Sequence, residues 1–386
     1  MNKILEKLPS FVEKIRTMRE IIISNILLIG QIPSPTFNEG PRAQFFLERM
    51  RDSQVDECTS DGYGNPIAII RGTSKTRPPI FVTAHLDTLF DKDIVYNYTV
   101  KENTIAGPGL LDNSLGVAVL ASLPEIFRIL DLKFESDIVM AGLIHMLGKG
   151  NLQGIRYLLD TWSTPVRAGV CIEGFKLGRL NYFSDGMRRC EITCNCIPEK
   201  GVIPKYRPNA ILIINEVINQ ILQIQLPQHP RSIIAIGQIE GGFEHGTIPY
   251  EARLGFEIRS DSPKILKSVY AQVVDIVEGI SHENAVSLKL KTISHLSAAR
   301  LKYNHPLVKN TSAVMKRLNL NPVSDPSESS LSIFIANKIP AVTLGVTYGE
   351  NRSLENASMQ INPMYKGIAQ IVGVIMAIDS GVCDEE

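Results

Sequence analysis

The sequence predicts an α/β fold: a mainly parallel, mixed sheet wrapped by helices, with a smaller α+β domain of ferredoxin-like order inserted into it. Two patterns and one interruption predict it. Over residues 1–185, short apolar runs alternate with helix-length amphipathic stretches, as βαβ units require. Over residues 186–294 the order becomes strand, helix, strand, strand, helix, strand, which is a split βαβ arrangement. Helix and strand alternation then returns, so the main domain is discontinuous, residues 1–185 and 295–386. A chain of 386 residues suits two domains, and 44% hydrophobic with 21% charged residues is an ordinary globular composition. Forty basic residues balance forty acidic ones, which argues against a nucleic-acid partner or an electrostatically bound membrane.

Taken in order, residues 4–29 read as one amphipathic helix, too short and too polar in its apolar part to be a membrane span or signal peptide. Pro33 and Pro35 stop it. Thr36 or Asn38 then caps a helix over 42–51. Strands follow at 64–70 and from Ile80, where Ile80, Phe81 and Val82 lead into His85-Leu86-Asp87-Thr88. A hairpin-like stretch (95–105) precedes a glycine-bearing loop (107–116) that opens a helix over 117–130. Strands at 136–143 and 168–172 enclose a helix at 153–160. In the insert, strands are expected at 190–196, 232–239, 252–259 and 286–293, with helices at 209–224 and 263–280. A helix at 309–318, a strand at 341–346 and a helix at 362–378 close the chain. The six cysteines include Cys194 and Cys196, which alternate with polar residues on a strand rather than forming a CxxC. With no signal peptide expected, they read as reduced thiols of a cytoplasmic protein.

The chemistry-bearing residues lie where strands end. His85 and Asp87, two residues apart on an extended chain, point to the same side, which suits an imidazole ligand oriented by an acid. Asp112 opens the loop before a helix, and Glu173 ends a buried strand. In parallel sheets, ligands gather at such carboxyl ends. Read alone, His85 and Asp87 could equally be a structural hydrogen-bonded pair, and His145 an ordinary strand-end histidine. No GxSxG elbow supports a serine hydrolase.

Several stretches, in order, resemble the zinc-dependent peptidase and amidohydrolase family that includes acetylornithine deacetylase, succinyl-diaminopimelate desuccinylase, carboxypeptidase G, aminoacylase and tripeptidase T. They are Ile32-Pro33-Ser34-Pro35, Asp61-Gly62-Tyr63-Gly64-Asn65, His85-Leu86-Asp87-Thr88, the 107–116 loop, Gly150-Asn151-Leu152-Gln153-Gly154 and Ile172-Glu173-Gly174. Gly241-Gly242 with Ile248-Pro249, and the run from Ile339 to Gly345, extend the resemblance over nearly the whole chain. It implies a phosphorylase/hydrolase-like catalytic domain with an inserted lid or dimerisation domain, and a homodimer built through that insert. It also implies two divalent ions bridged by a carboxylate, with a second carboxylate as base. On that resemblance, His85, Asp112 and Glu173 are metal ligands, Asp112 being the bridge, and Asp87 is the catalytic-site acid that orients His85. The ion would be zinc, manganese or cobalt, and the substrate a small peptide or N-acyl amino acid.

The sequence departs from the pattern elsewhere. Counting back from Gly150, the family's glutamate pair (base, then ligand) falls on Met146 and Leu147, which offer neither proton acceptor nor hard oxygen. The last histidine ligand falls at Arg352, a fixed cation. The histidine the insert offers to substrate falls near Lys200, an expected asparagine at Gly246, and Glu328 stands where an aspartate is common. His145 could substitute as a ligand, and Lys200 with Arg352 could form an anion site; surface charge is the plainer reading of the latter pair. Two function classes remain: a homologue with lost or strongly impaired hydrolysis that binds or regulates, or an active single-metal peptidase or deacylase with an unconventional base.

Overall fold

The computed structural model describes residues 1–196, 208–327 and 329–385. Two compact units emerge, Met1–Phe183 with Arg300–Glu386, and Ser184–Ala299. The insert is a few residues wider than 186–294, because its first and last strands, Gly186–Asn195 and Ser287–Leu296, run to its edges. Lys200 and Glu328 lie outside the described residues.

The larger unit holds a seven-stranded sheet. Its strands are β1 (Glu57–Ser60), β2 (Pro66–Ile70), β3 (Ile80–His85), β4 (Ile138–Leu143), β5 (Ala168–Phe175), β6 (Leu180–Asn181) and β7 (Ala341–Thr347). They lie in the order β1-β2-β4-β3-β5-β7-β6. The central four, β4, β3, β5 and β7, are parallel, while β1, β2 and β6 add antiparallel edges. The fold is thus the mixed, mainly parallel sheet that the sequence predicts. Every residue of β3 is buried, as expected of a strand covered on both faces. Ile80, Val82 and Ala84 join the main core, which includes the helices Leu115–Ile129 and Ile361–Asp379. Phe81 points the other way, edge-on to Trp162 at 4.8 Å and to Phe334 at 6.2 Å. The helical stretches Leu110–Ile129 and Ile361–Asp379 are long and apolar enough to cross a membrane, but 94% and 78% of their apolar windows are buried, which marks them as core helices.

Two local expectations fail for tertiary reasons. The single helix over 4–29 is two, Asn2–Arg16 and Arg19–Gly30. The first packs on the C-terminal helix Ile361–Asp379 and the second on Leu115–Ile129, so the break at Thr17 and Met18 lets one stretch serve two partners. Neither Thr36 nor Asn38 caps the next helix, Gly40–Asp52, whose N-cap is Glu39 with no side-chain cap. Thr36 Oγ1 is spent on Asp87 Oδ2, 3.0 Å away.

The inserted unit is a four-stranded antiparallel sheet in the order Ser232–Gly241, Glu251–Ser260, Gly186–Asn195, Ser287–Leu296, carrying the helices Ala210–Leu222 and Pro263–Asn284. That is the ferredoxin-like order. Its own core gathers Ile192, Cys194, Leu254, Phe256, Val273 and their neighbours. All six cysteines of the chain are free thiols.

Candidate metal centre

The carboxyl ends of the parallel strands bring the site together. His85 is the last residue of β3, Glu173 lies near the end of β5, and residues 145–147 follow β4. Asp112 arrives on the loop that opens the helix Leu115–Ile129. That loop fits only because of two glycines. Gly109 takes a left-handed φ of +66° and a Cβ there would sit 2.8 Å from Thr88 Cγ2. A Cβ on Gly174 would lie 2.8 Å from the Leu111 carbonyl oxygen. Asn113 then ties the loop to β5: its Nδ2 donates to the Ile172 carbonyl at 2.9 Å, and Gly174 N–H donates to its Oδ1 at 2.8 Å. The amide group brackets Glu173 and fixes Asp112 beside it.

One nitrogen and two carboxylates result. Ligand atoms of His85, Asp112 and Glu173 all lie within 4.8 Å of one another, and all three residues are buried. The His85 ring is oriented by Asp87, with Nδ1 2.9 Å from the Asp87 carbonyl oxygen and 3.2 Å from its Oδ1. Those acceptors assign the Nδ1 proton, leaving Nε2 to face Asp112 Oδ1 at 3.1 Å. That contact lies off hydrogen-bonding geometry, and Asp112 Oδ1 is a buried oxygen without a donor. A lone pair on nitrogen facing an unpartnered carboxylate oxygen needs a cation between them, a proton or a metal ion. The donor set therefore fits a divalent metal ion. Burial pushes the His85 pKa down, but the carboxylates of Asp112 and Asp87 outweigh it and hold the imidazole well above its ordinary value. Burial likewise pushes Asp112 up, and His85 with Arg352 overcomes it, lowering the carboxyl to about 2.

Asp87 is fully buried and accepts from three further donors: Thr36 Oγ1 at 3.0 Å, Met146 N–H at 2.9 Å and Leu147 N–H at 2.7 Å. Met146 and Leu147 thus approach the site by their backbone, and their side chains carry no acid or base. His145 is not brought to the three ligands. Its Nδ1 bonds the Tyr63 hydroxyl at 2.9 Å and its Nε2 lies 3.4 Å from Glu39 Oε2, while its N–H donates to Glu39 Oε1 at 2.7 Å. Burial raises the Glu39 carboxyl above its usual range.

Arg352 reaches in. Its Nη2 is 3.1 Å from Asp112 Oδ2 and 3.5 Å from Glu173 Oε2. Arg179, which the sequence reading missed, places Nη1 4.0 Å from the same Glu173 oxygen. Nothing in the run from Lys176 to Arg179 signals this. Arg42 was also missed, although it did leave a signal, an arginine in register with Phe46 and Met50 on the apolar stripe of its helix. Fully buried, it donates Nη1 to the Leu86 carbonyl at 2.9 Å, and Nε and Nη2 to the Ile32 carbonyl at 3.1 and 2.5 Å.

Residues 185–285 match the family model M20_dimer, a peptidase dimerisation domain. The solved dipeptidase Dug1p of Saccharomyces cerevisiae superposes with a TM-score of 0.78 at 12% identity, covering 97% of this chain and 98% of that one. The whole chain carries the M20 peptidase fold. A tripeptidase of Staphylococcus aureus shares that fold with a TM-score of 0.73 at 19% identity, covering 94% of this chain and 99% of its own. So does the YXEP protein of Bacillus subtilis, described as a dinuclear metal-binding peptidase of the M20 family, with a TM-score of 0.62 at 15% identity over 92% and 99% of the two chains. A comparison with curated proteins finds no match.

Proposed function

We propose that this chain is an M20-fold protein that binds a single divalent ion through His85, Asp112 and Glu173 and uses its site to bind a small peptide or N-acyl amino acid, with amide hydrolysis lost or strongly impaired. One observation carries the reading: the turn after β4 offers no base. Met146 and Leu147 contribute backbone N–H groups to Asp87, and both ring nitrogens of His145, the nearest alternative, face Tyr63 and Glu39. A positioned base contributes roughly 10²–10⁴-fold to such reactions, and a second ion stabilises the transition state by several kcal/mol more. The ligand class is drawn from the di- and tripeptidases that share the fold.

The reading includes a homodimer through the insert. Its edge strand Ser232–Gly241 and helix Ala210–Leu222 expose Ile239, Leu212 and Ile211, with Phe243 just beyond the strand. An open strand edge beside exposed apolar side chains is the surface such pairing uses.

The test is the metal content of the purified protein, with hydrolysis assays on dipeptides, tripeptides and N-acyl amino acids in added zinc, manganese or cobalt. One bound ion without turnover across the panel is the expected result. Metal-dependent turnover that disappears in Glu173→Ala would replace this reading with that of an active single-metal hydrolase. Absence of any bound ion would remove the metal from it.

A further inference from the structure

The two oxygens of Asp112 face different groups. Oδ1 faces His85 Nε2, and Oδ2 is taken by Arg352 Nη2 at 3.1 Å. The same Nη2 lies 3.5 Å from Glu173 Oε2, so one guanidinium spans both carboxylates of the site. We infer that Arg352 is a resident cation: it holds the outer oxygens of Asp112 and Glu173, limits the site to one ion, and keeps the site folded whether or not that ion is bound. This inference rests on the one-ion reading and extends it to the stability of the site.

The physical reason is charge. Asp112 and Glu173 are 7% and 6% exposed, and two carboxylates brought together out of water repel each other unless a cation lies between them. In a two-ion site, metals supply that charge and can dissociate. A guanidinium cannot give up its proton at any working pH, so its charge is permanent. Arg179, 4.0 Å from Glu173, adds a second permanent charge beside that carboxylate. Burial of Arg352 opposes its charge, and the two carboxylates overcome this and raise its pKa further. The inner atoms, His85 Nε2 and Asp112 Oδ1, stay outside the arginine's hydrogen bonds, which is why one ion and not two remains compatible with it. The fixed charge also repels that ion, so the arginine stabilises the site at the expense of metal affinity.

The experiment compares the full-length wild type with Arg352→Gln, which keeps polar N–H groups without charge, and Arg352→Lys, which keeps the charge. Thermal unfolding is followed in EDTA and in added zinc or manganese, and ion stoichiometry and affinity are measured by calorimetry. The wild type is expected to stay folded in EDTA, to gain less in unfolding temperature from added metal than Arg352→Gln does, and to bind at most one ion. Arg352→Gln is expected to unfold earlier in EDTA, to recover with metal, and to bind the ion about tenfold or more tightly, since a unit positive charge 3.1 Å from one of its carboxylate ligands has been removed. Arg352→Lys should stay close to wild type, which separates loss of charge from loss of packing. If the glutamine variant folds only with metal, the inference stands. A wild type that binds two ions, or a glutamine variant with wild-type affinity and EDTA tolerance, overturns it. A wild type without an ion beside a glutamine variant with one would uphold the arginine's role and remove the native ion from the proposed function.

Discussion

Replacing Asp87 with alanine tests whether this carboxylate is the joint that fixes the site. Its Oδ2 accepts from Met146 N–H, Leu147 N–H and Thr36 Oγ1, and its Oδ1 lies 3.2 Å from His85 Nδ1. The substitution leaves two backbone donors and a hydroxyl unpaired in a place with no measurable exposure at residue 87. Each buried donor left without a partner costs about 1–3 kcal/mol. Removing the buried charge itself returns part of that, so the net loss should be about 3–5 kcal/mol. Urea unfolding gives the stability, and hydrogen exchange gives the location. The Met146 and Leu147 amides should lose protection by more than the global destabilisation explains. Asp87→Asn should fall between, because its single carbonyl oxygen can accept while its NH₂ must face donors. A loss under about 1 kcal/mol, with those amides as protected as before, would refute the assignment of Asp87 as the anchor of the turn after β4.

Two further outcomes follow from the packing. Arg42→Met should cost about 3–5 kcal/mol by urea unfolding, because the Ile32 and Leu86 carbonyls would lose their buried partner; it should also weaken metal binding in calorimetry, since the Leu86 carbonyl sits between His85 and Asp87. Leu212→Asp, on the exposed face of the helix Ala210–Leu222, should shift the protein from dimer to monomer in analytical ultracentrifugation while the monomer still unfolds cooperatively, and a wild type that is monomeric at micromolar concentration would remove the proposed interface.

Much of the architecture was legible because it depends on local pattern. Ile80, Phe81 and Val82 are a continuous apolar run because β3 is covered on both faces, and such a run reads as a buried strand without any knowledge of its neighbours. The order of elements in the insert likewise carried its ferredoxin-like topology, since few sheet orders satisfy six elements of those lengths. Helix ends were less legible. The break at Thr17 and Met18 reflects a change of packing partner, which periodicity cannot register. Thr36 reads as a cap by residue type, but a buried carboxylate 51 positions away claims its hydroxyl.

The sequence by itself determined the spacing of His85 and Asp87, the position of Asp112 in a loop opening a helix and of Glu173 near a strand end, and the apolar character of Met146 and Leu147. These follow from residue identity and from the two-residue period of a strand. Only the tertiary structure decided what the long side chains do. Arg352 belongs to a loop whose sequence is compatible with solvent, and its guanidinium could have ended in water at no local cost. The folded chain brings it to Asp112 Oδ2 and Glu173 Oε2, and Arg179 approaches the same Glu173 oxygen from another turn. An arginine's flexible reach lets distant charges, rather than its sequence neighbours, select its position. The same holds for the imidazole of His145: its place after a strand is written in the chain, but its two partners, Glu39 and Tyr63, come from segments 106 and 82 residues away.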